Sequence, residues 1–233
     1  NALAFTDLDD LGNPYIVIAH DVFYGYLETD PELVYGPDLA DVTLAHELFH
    51  CMQFAAGTLT DFDSFWYWEA TATWIESEIF PNNTSSGGYT AAFLFDPRLA
   101  LGYFSFESDP AIHELLHPYG AALFPTYLSE TFGGPGLIRS TWQEAKPLDS
   151  VFAVLTRLLP AHGATLPDVV ADFAAHNVGL DYARGDEYRA DVQRWRDRGL
   201  EGTPPFPLSA GPARIVTKGE APQRYGYNVY SLP

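Results

Sequence analysis

Apolar residues at Leu39, Val42, Ala45, Leu48, Phe49 and Met52 recur at helical spacing, which predicts a helix capped by Asp38, running to about Ala56 and stopped by Gly57. A second helical stretch, residues 65–80, ends at Pro81, and the loop between the two is short enough for an antiparallel pair. Residues 119–131, 136–146, 148–159, 166–177 and 185–199 repeat the helical spacing, with Gly or Pro between most of them. Period-two, β-branched character is confined to a few places. Tyr15–His20 is the clearest strand, and Arg214–Thr217 and Tyr225–Tyr230 look like two more.

Residues 1–14 are acidic and turn-like, 21–37 form an irregular connection, and 82–88 form a flexible surface loop. The expected fold is α+β, helix-rich with a small N-terminal β-sheet. Residues 1–205 would make one domain, followed by a Pro-rich linker (Pro204, Pro205, Pro207, Pro212) and C-terminal strands over 206–233. Those strands either pack back on that domain or begin a truncated β-domain.

With 233 residues and 47% hydrophobic composition the chain can bury a core. Its 31 acidic against 12 basic residues, a net charge of −19, argue against nucleic acid or an anionic membrane as partner. No apolar run reaches the roughly 18 residues of a membrane span, and no signal peptide is evident. The chain opens on Asn1, which is read as a processed or excised piece of a longer product. Cys51 is the lone cysteine, which excludes an internal disulfide and any zinc site built from several thiolates. Oligomeric state is not encoded in any feature of the sequence.

Chemistry concentrates in His46-Glu47-Leu48-Phe49-His50. On a helix the two histidines share a face and can grip one Zn²⁺, while Glu47, about 100° round the helix, is free to act as general base on a water. Cys51 points away from that grip and is expected to be a buried structural thiol. The three-histidine continuation is missing, because Gln53 and Ala56 stand where Gly and His would be required. A third ligand can come instead from a glutamate on the 65–80 helix, where Glu69 lies 19 residues after His50. Glu76 or Thr73, near the same helical face, could take a histidine's second ring N–H, whereas Glu78 reads as a solvated charge. The Asp7, Asp9, Asp10, Gly12 spacing loosely suggests Ca²⁺, but its later ligands are missing and a solvated turn is the simpler expectation.

A rival pentapeptide, His113-Glu114-Leu115-Leu116-His117, is followed at once by Pro118, so a continuous helix through its second histidine would lose a hydrogen bond and clash. It is expected to be a chance recurrence or to act from the substrate side.

Residues 45–80 closely resemble the gluzincin metallopeptidases. More narrowly they are similar to bacterial secreted proteins assigned as metalloproteases, which carry His-Glu-x-x-His-x-x-Gln followed by Trp-x-x-Glu-(Gly/Ala)-Thr-Ala-x-Trp-x-Glu. Here the second motif begins at Trp66 and reads through Glu69, Ala70, Thr71, Ala72, Trp74 and Glu76, with Ala70 in place of the commoner glycine. The resemblance implies a zincin fold and a secreted zinc endopeptidase acting on peptide or protein substrates. His46, His50 and Glu69 would be ligands and Glu47 the base. Gluzincins also recruit a later Tyr or His to the developing oxyanion. Tyr119 matches best, at the start of the expected 119–131 helix, with His117 and His113 as alternatives. The competing expectation is a non-catalytic extracellular adhesion or assembly protein that keeps a structural zinc site, which would have no use for Glu47. A metallohydrolase acting on something other than peptide is a third.

Overall fold

A computed structural model describes residues 3–19, 37–82, 87–200, 202–207, 218 and 221–231. His20, the 21–36 connection, the centre of the 82–88 loop and the Arg214–Thr217 strand lie outside the described residues. The architecture is α+β, helix-rich with a small sheet near the N-terminus. An antiparallel hairpin, β1 (Ala4–Leu8) and β2 (Pro14–Ile18), precedes nine helices among the described residues. These are α1 (Pro37–Ala56), α2 (Phe65–Ile79), α3 (Gly87–Phe95), α4 (Ile112–Gly120), α5 (Leu123–Thr131), α6 (Gly136–Gln143), α7 (Val151–Leu158), α8 (Leu166–Gly179) and α9 (Gly185–Asp197). A short parallel pair, β3 (Phe206–Pro207) and β4 (Tyr230–Ser231), lies near the C-terminus. Among the described residues no helix is long and apolar enough to cross a membrane.

Part of the expected turn at residues 1–14 is a strand. In the hairpin Ala4, Thr6, Ile16 and Ile18 are half-buried while Phe5, Asp7, Tyr15 and Val17 are exposed, and the half-buried face packs on α1. Asp9 shapes the turn: its Oδ1 accepts the backbone N–H groups of Leu11 and Asn13 at 2.9 and 2.8 Å, with Gly12 at φ +81°.

Helix α2 organises the core. Trp66, Tyr67, Ala70 and Trp74 on one side are buried against α5, α6 and α7 through Phe124, Tyr127, Trp142, Val154 and Leu155. The opposite side, with Glu69, Thr73 and Glu76, meets α1. Contacts run from His46 to Glu76 and from Gln53 back to Trp68 and Thr71, so the two helices are antiparallel, as the short loop requires.

Several boundaries differ from expectation. Helix α1 starts at Pro37, placing Asp38 inside the first turn rather than at the cap. Cys51 is half-buried rather than buried. Helix α4 runs through His117 and Pro118; the missing bond is tolerated because the helix ends two residues later, Ala121 N–H closing on His117 O at 2.8 Å. Tyr119 therefore ends a helix instead of starting one. Of the expected Tyr225–Tyr230 strand, only Tyr230 pairs. Tyr225 turns at φ +61°, and Gly226 lies so close to the Arg98 and Leu99 carbonyls that a Cβ would stand 2.6 and 2.5 Å from them. This segment packs back on the loop after α3: Tyr227 N–H donates to Pro97 O at 2.7 Å and Gln223 N–H to Arg98 O at 2.8 Å.

Candidate metal centre

Helix α1 inverts the usual amphipathic rule. Its buried positions include His46, Glu47, His50 and Gln53, while Leu44, Leu48 and Met52 are exposed. A helix that turns its polar side inward needs partners for every buried polar atom. Helix α2 supplies most of them.

Each histidine is held from behind. His46 Nδ1 lies 2.7 Å from Glu76 Oε1, and His50 Nδ1 lies 2.6 Å from Gln53 Oε1. The amide of Gln53 is oriented in turn, donating from Nε2 to Trp68 O at 3.1 Å and Thr71 Oγ1 at 3.0 Å, so its oxygen faces His50. With acceptors behind them, both rings carry hydrogen on Nδ1 and aim Nε2 forward. Glu76 takes the role proposed for it or Thr73. The Thr73 hydroxyl is buried without a partner among the described residues, and Glu78 is exposed.

The forward nitrogens meet a carboxylate. His46 Nε2 and His50 Nε2 are 3.1 Å apart and stand 3.2 and 3.5 Å from Glu69 Oε2. Two ring nitrogens and a carboxylate oxygen converge in a largely buried place, where a proton or a cation between them relieves the repulsion of their lone pairs. Ligands at about 2.0–2.2 Å from a tetrahedral centre stand about 3.3–3.6 Å from one another, so the triangle fits a divalent ion to within a few tenths of an ångström. Among the described residues these three form the one cluster of His, Cys, Asp or Glu close enough to share an ion. Asp9 of the suggested Ca²⁺ turn is committed to its own backbone.

Electrostatics point the same way. Burial alone would depress the His46 pKa, but hydrogen bonds and charge from Glu69 and Glu76 outweigh it and raise it to about 10. Burial would raise Glu69, yet its bonds to both histidines pull it well below the usual carboxylate range. Burial dominates at Glu76 and pushes it up. The cluster demands positive charge at its centre.

Tyr119 joins the group from α4. Its ring stacks on His46 at 5.9 Å, and burial, reinforced by the nearby Glu69 carboxylate, raises its pKa. Gly120 makes this approach: a Cβ there would stand 2.2 Å from Tyr89 O, so only glycine lets α4 sit tightly on α3. Tyr89 then packs on Tyr119 at 5.2 Å.

The rival pentapeptide stays apart. His117 is buried against Phe93 and bonds Ala100 O through Nε2 at 3.0 Å, and burial lowers its pKa to about 4. His113 lines a separate cavity of about 90 Å³ with Asp96 and Trp195.

The structure thus brings together His46, Glu47, His50, Glu69 and Tyr119, and leaves out His113 and His117. Sequence reasoning missed three participants. The Gln53 role was legible in principle, since three residues on from His50 is one helical turn. Nothing local marks Tyr89, or Thr6, whose hydroxyl lies 2.7 Å from Glu47 Oε2.

Residues 25–233 match the family model of a family of unknown function, DUF6055. No curated protein and no solved structure matches the chain.

Proposed function

We propose that this chain, which belongs to the DUF6055 family of unknown function, is a zinc-dependent endopeptidase of the gluzincin type that works outside the cell. The observation that carries the proposal is the triangle of His46 Nε2, His50 Nε2 and Glu69 Oε2, with edges of 3.1, 3.2 and 3.5 Å and each imidazole fixed from behind. Two nitrogens and one carboxylate oxygen are the donor set of catalytic zinc, with one coordination position left for water or substrate. Zinc held there would polarise the scissile carbonyl and lower the pKa of a water.

The chain's own residues do the rest. Glu47, next to His46 in sequence and buried beside the cluster, takes the proton of the attacking water and later delivers it to the leaving amine. Tyr119, kept in its phenol form by burial, donates to the developing oxyanion. Glu76 and Gln53 hold the histidine rings in the tautomer that leaves Nε2 free.

The test pairs metal analysis with turnover of a denatured protein substrate, wild type against Glu47→Gln. The expected result is one zinc per chain in both and a turnover loss of about 10²–10⁴-fold in the variant. Equal, negligible turnover with metal bound in both would leave a structural zinc site and sink the peptidase reading. An anomalous peak at the zinc edge among His113 and His117 would overturn the ligand assignment.

A further inference from the structure

Thr6 belongs to the N-terminal hairpin, which precedes the family-matched span of residues 25–233. Strand alternation places Thr6 on the half-buried side of β1, over α1, while its neighbours Phe5 and Asp7 face outward. Its Oγ1 lies 2.7 Å from Glu47 Oε2 and 2.9 Å from Glu47 O. A threonine hydroxyl has one proton to give. The shorter contact is to the carboxylate, and a charged acceptor makes the stronger bond. Among the described residues no other group donates a hydrogen bond to the Glu47 carboxylate.

We propose that Thr6 is a positioning residue for Glu47, its hydroxyl anchoring Oε2 so that Oε1 stays turned toward the water that the histidine–glutamate cluster serves. The inference rests on the reading of Glu47 as the general base. Glutamate is rotamer-rich, and a base that wanders spends little time within reach of the proton it must take. The two histidines are each held by a partner behind them, His46 by Glu76 and His50 by Gln53. Glu47 has its counterpart in Thr6. The hairpin is thereby a working wall of the site.

Thr6→Val keeps the shape and the strand preference but removes the proton, and Thr6→Ser restores it. Four quantities are read in each: kcat and KM on a denatured protein substrate, zinc affinity by chelator competition, melting temperature, and the Glu47 conformation in a crystal structure. In Thr6→Val kcat should fall about tenfold while KM and zinc affinity stay within about twofold, and the Glu47 carboxylate should leave its place; Thr6→Ser should recover kcat. An unchanged or raised kcat in Thr6→Val, a Thr6→Ser variant as slow as Thr6→Val, or a Glu47 side chain that stays where it is would overturn the inference. Should Thr6→Val fail to fold, Thr6→Ala against Thr6→Ser is judged by the same outcomes. Glu47→Gln in the same series separates the two failures. If wild type is no faster than Glu47→Gln, the peptidase reading falls, and the Glu47 conformation in the Thr6 variants alone then decides for or against positioning.

Discussion

The chain holds the same pentapeptide twice, His-Glu-x-x-His at 46–50 and 113–117, and the two copies have opposite fates. Both lie on helices, and both put a histidine in the interior. In the first copy the rings face Glu69 and Glu76, whose charge holds His46 far above its ordinary pKa in spite of burial. In the second, His117 faces Phe93 and a backbone carbonyl, and burial holds it neutral with a pKa of about 4. The glutamates diverge as well. Among the described residues the buried Glu47 carboxylate accepts only the Thr6 hydroxyl, whereas Glu114 accepts Ala111 N–H at 3.1 Å and caps the start of its own helix. Helical spacing gives both pairs the reach to hold an ion. The partner helix decides which one has the charge to do so.

The largest test of that contrast is to remove a histidine from each copy. Structural zinc binding worth about 10–16 kcal/mol, shared among its ligands, assigns a few kcal/mol to each, so His46→Ala should weaken zinc affinity at least about a hundredfold. His113→Ala should leave it unchanged. Chelator competition on the two variants measures both, and equal losses would mean that the two copies cooperate.

Acid stability probes the second copy next. His117 titrates near 4 in the folded chain and near its ordinary 6.5 when unfolded, so the unfolded state takes up the proton first as pH falls. Its contribution is intact above about pH 6.5 and is lost progressively toward pH 4, to about 3 kcal/mol in all. Gln at this position can still donate to Ala100 O but does not titrate. Unfolding free energies from urea titration in chelator should therefore fall less for His117→Gln than for wild type between pH 7 and 4.5, by about 2–3 kcal/mol. Parallel curves would show that His117 is not held neutral.

The element plan was largely written in the residues, and so was the convergence of His46, His50 and Glu69. The 3.6-residue period located α1 and α2, and the short Gly57–Ser64 loop dictated their antiparallel packing, from which the approach of Glu69 to His46 and His50 follows. What the period could not give was the side of α1 that faces inward. Leu48 and Met52 suggested an ordinary apolar face, but burying His46, His50 and Gln53 is favourable only because Glu69, Glu76 and Thr71 wait across the helix pair, and burying Glu47 because Thr6 reaches it from the hairpin. That is tertiary information. Pro118 misled for a related reason: propensity argues against it in a helix, yet it is buried two residues from the helix end, where packing outweighs one lost bond. Thr6 and Tyr89 were illegible because each reaches the site across a long stretch of chain from an element without a motif.

The finest cut separates geometry from charge behind the first copy. Glu76→Gln keeps an oxygen to accept from His46 Nδ1, so the ring should hold its tautomer, but it deletes one of the two carboxylates that make the centre negative. Glu76→Leu deletes both the charge and the acceptor. If orientation dominates, Glu76→Gln should retain nearly wild-type zinc affinity while Glu76→Leu loses about a hundredfold; if charge dominates, both should lose about tenfold or more. The 2.7 Å contact to His46 and the burial of Glu76 favour an intermediate result, about tenfold for Gln and about a hundredfold for Leu, because a buried carboxylate is tolerated only with a positive partner. Zinc affinity unchanged in Glu76→Leu would mean that the first copy owes its ion-binding character to Glu69 and the pentapeptide alone, and the contrast with His117 would then rest on a single carboxylate.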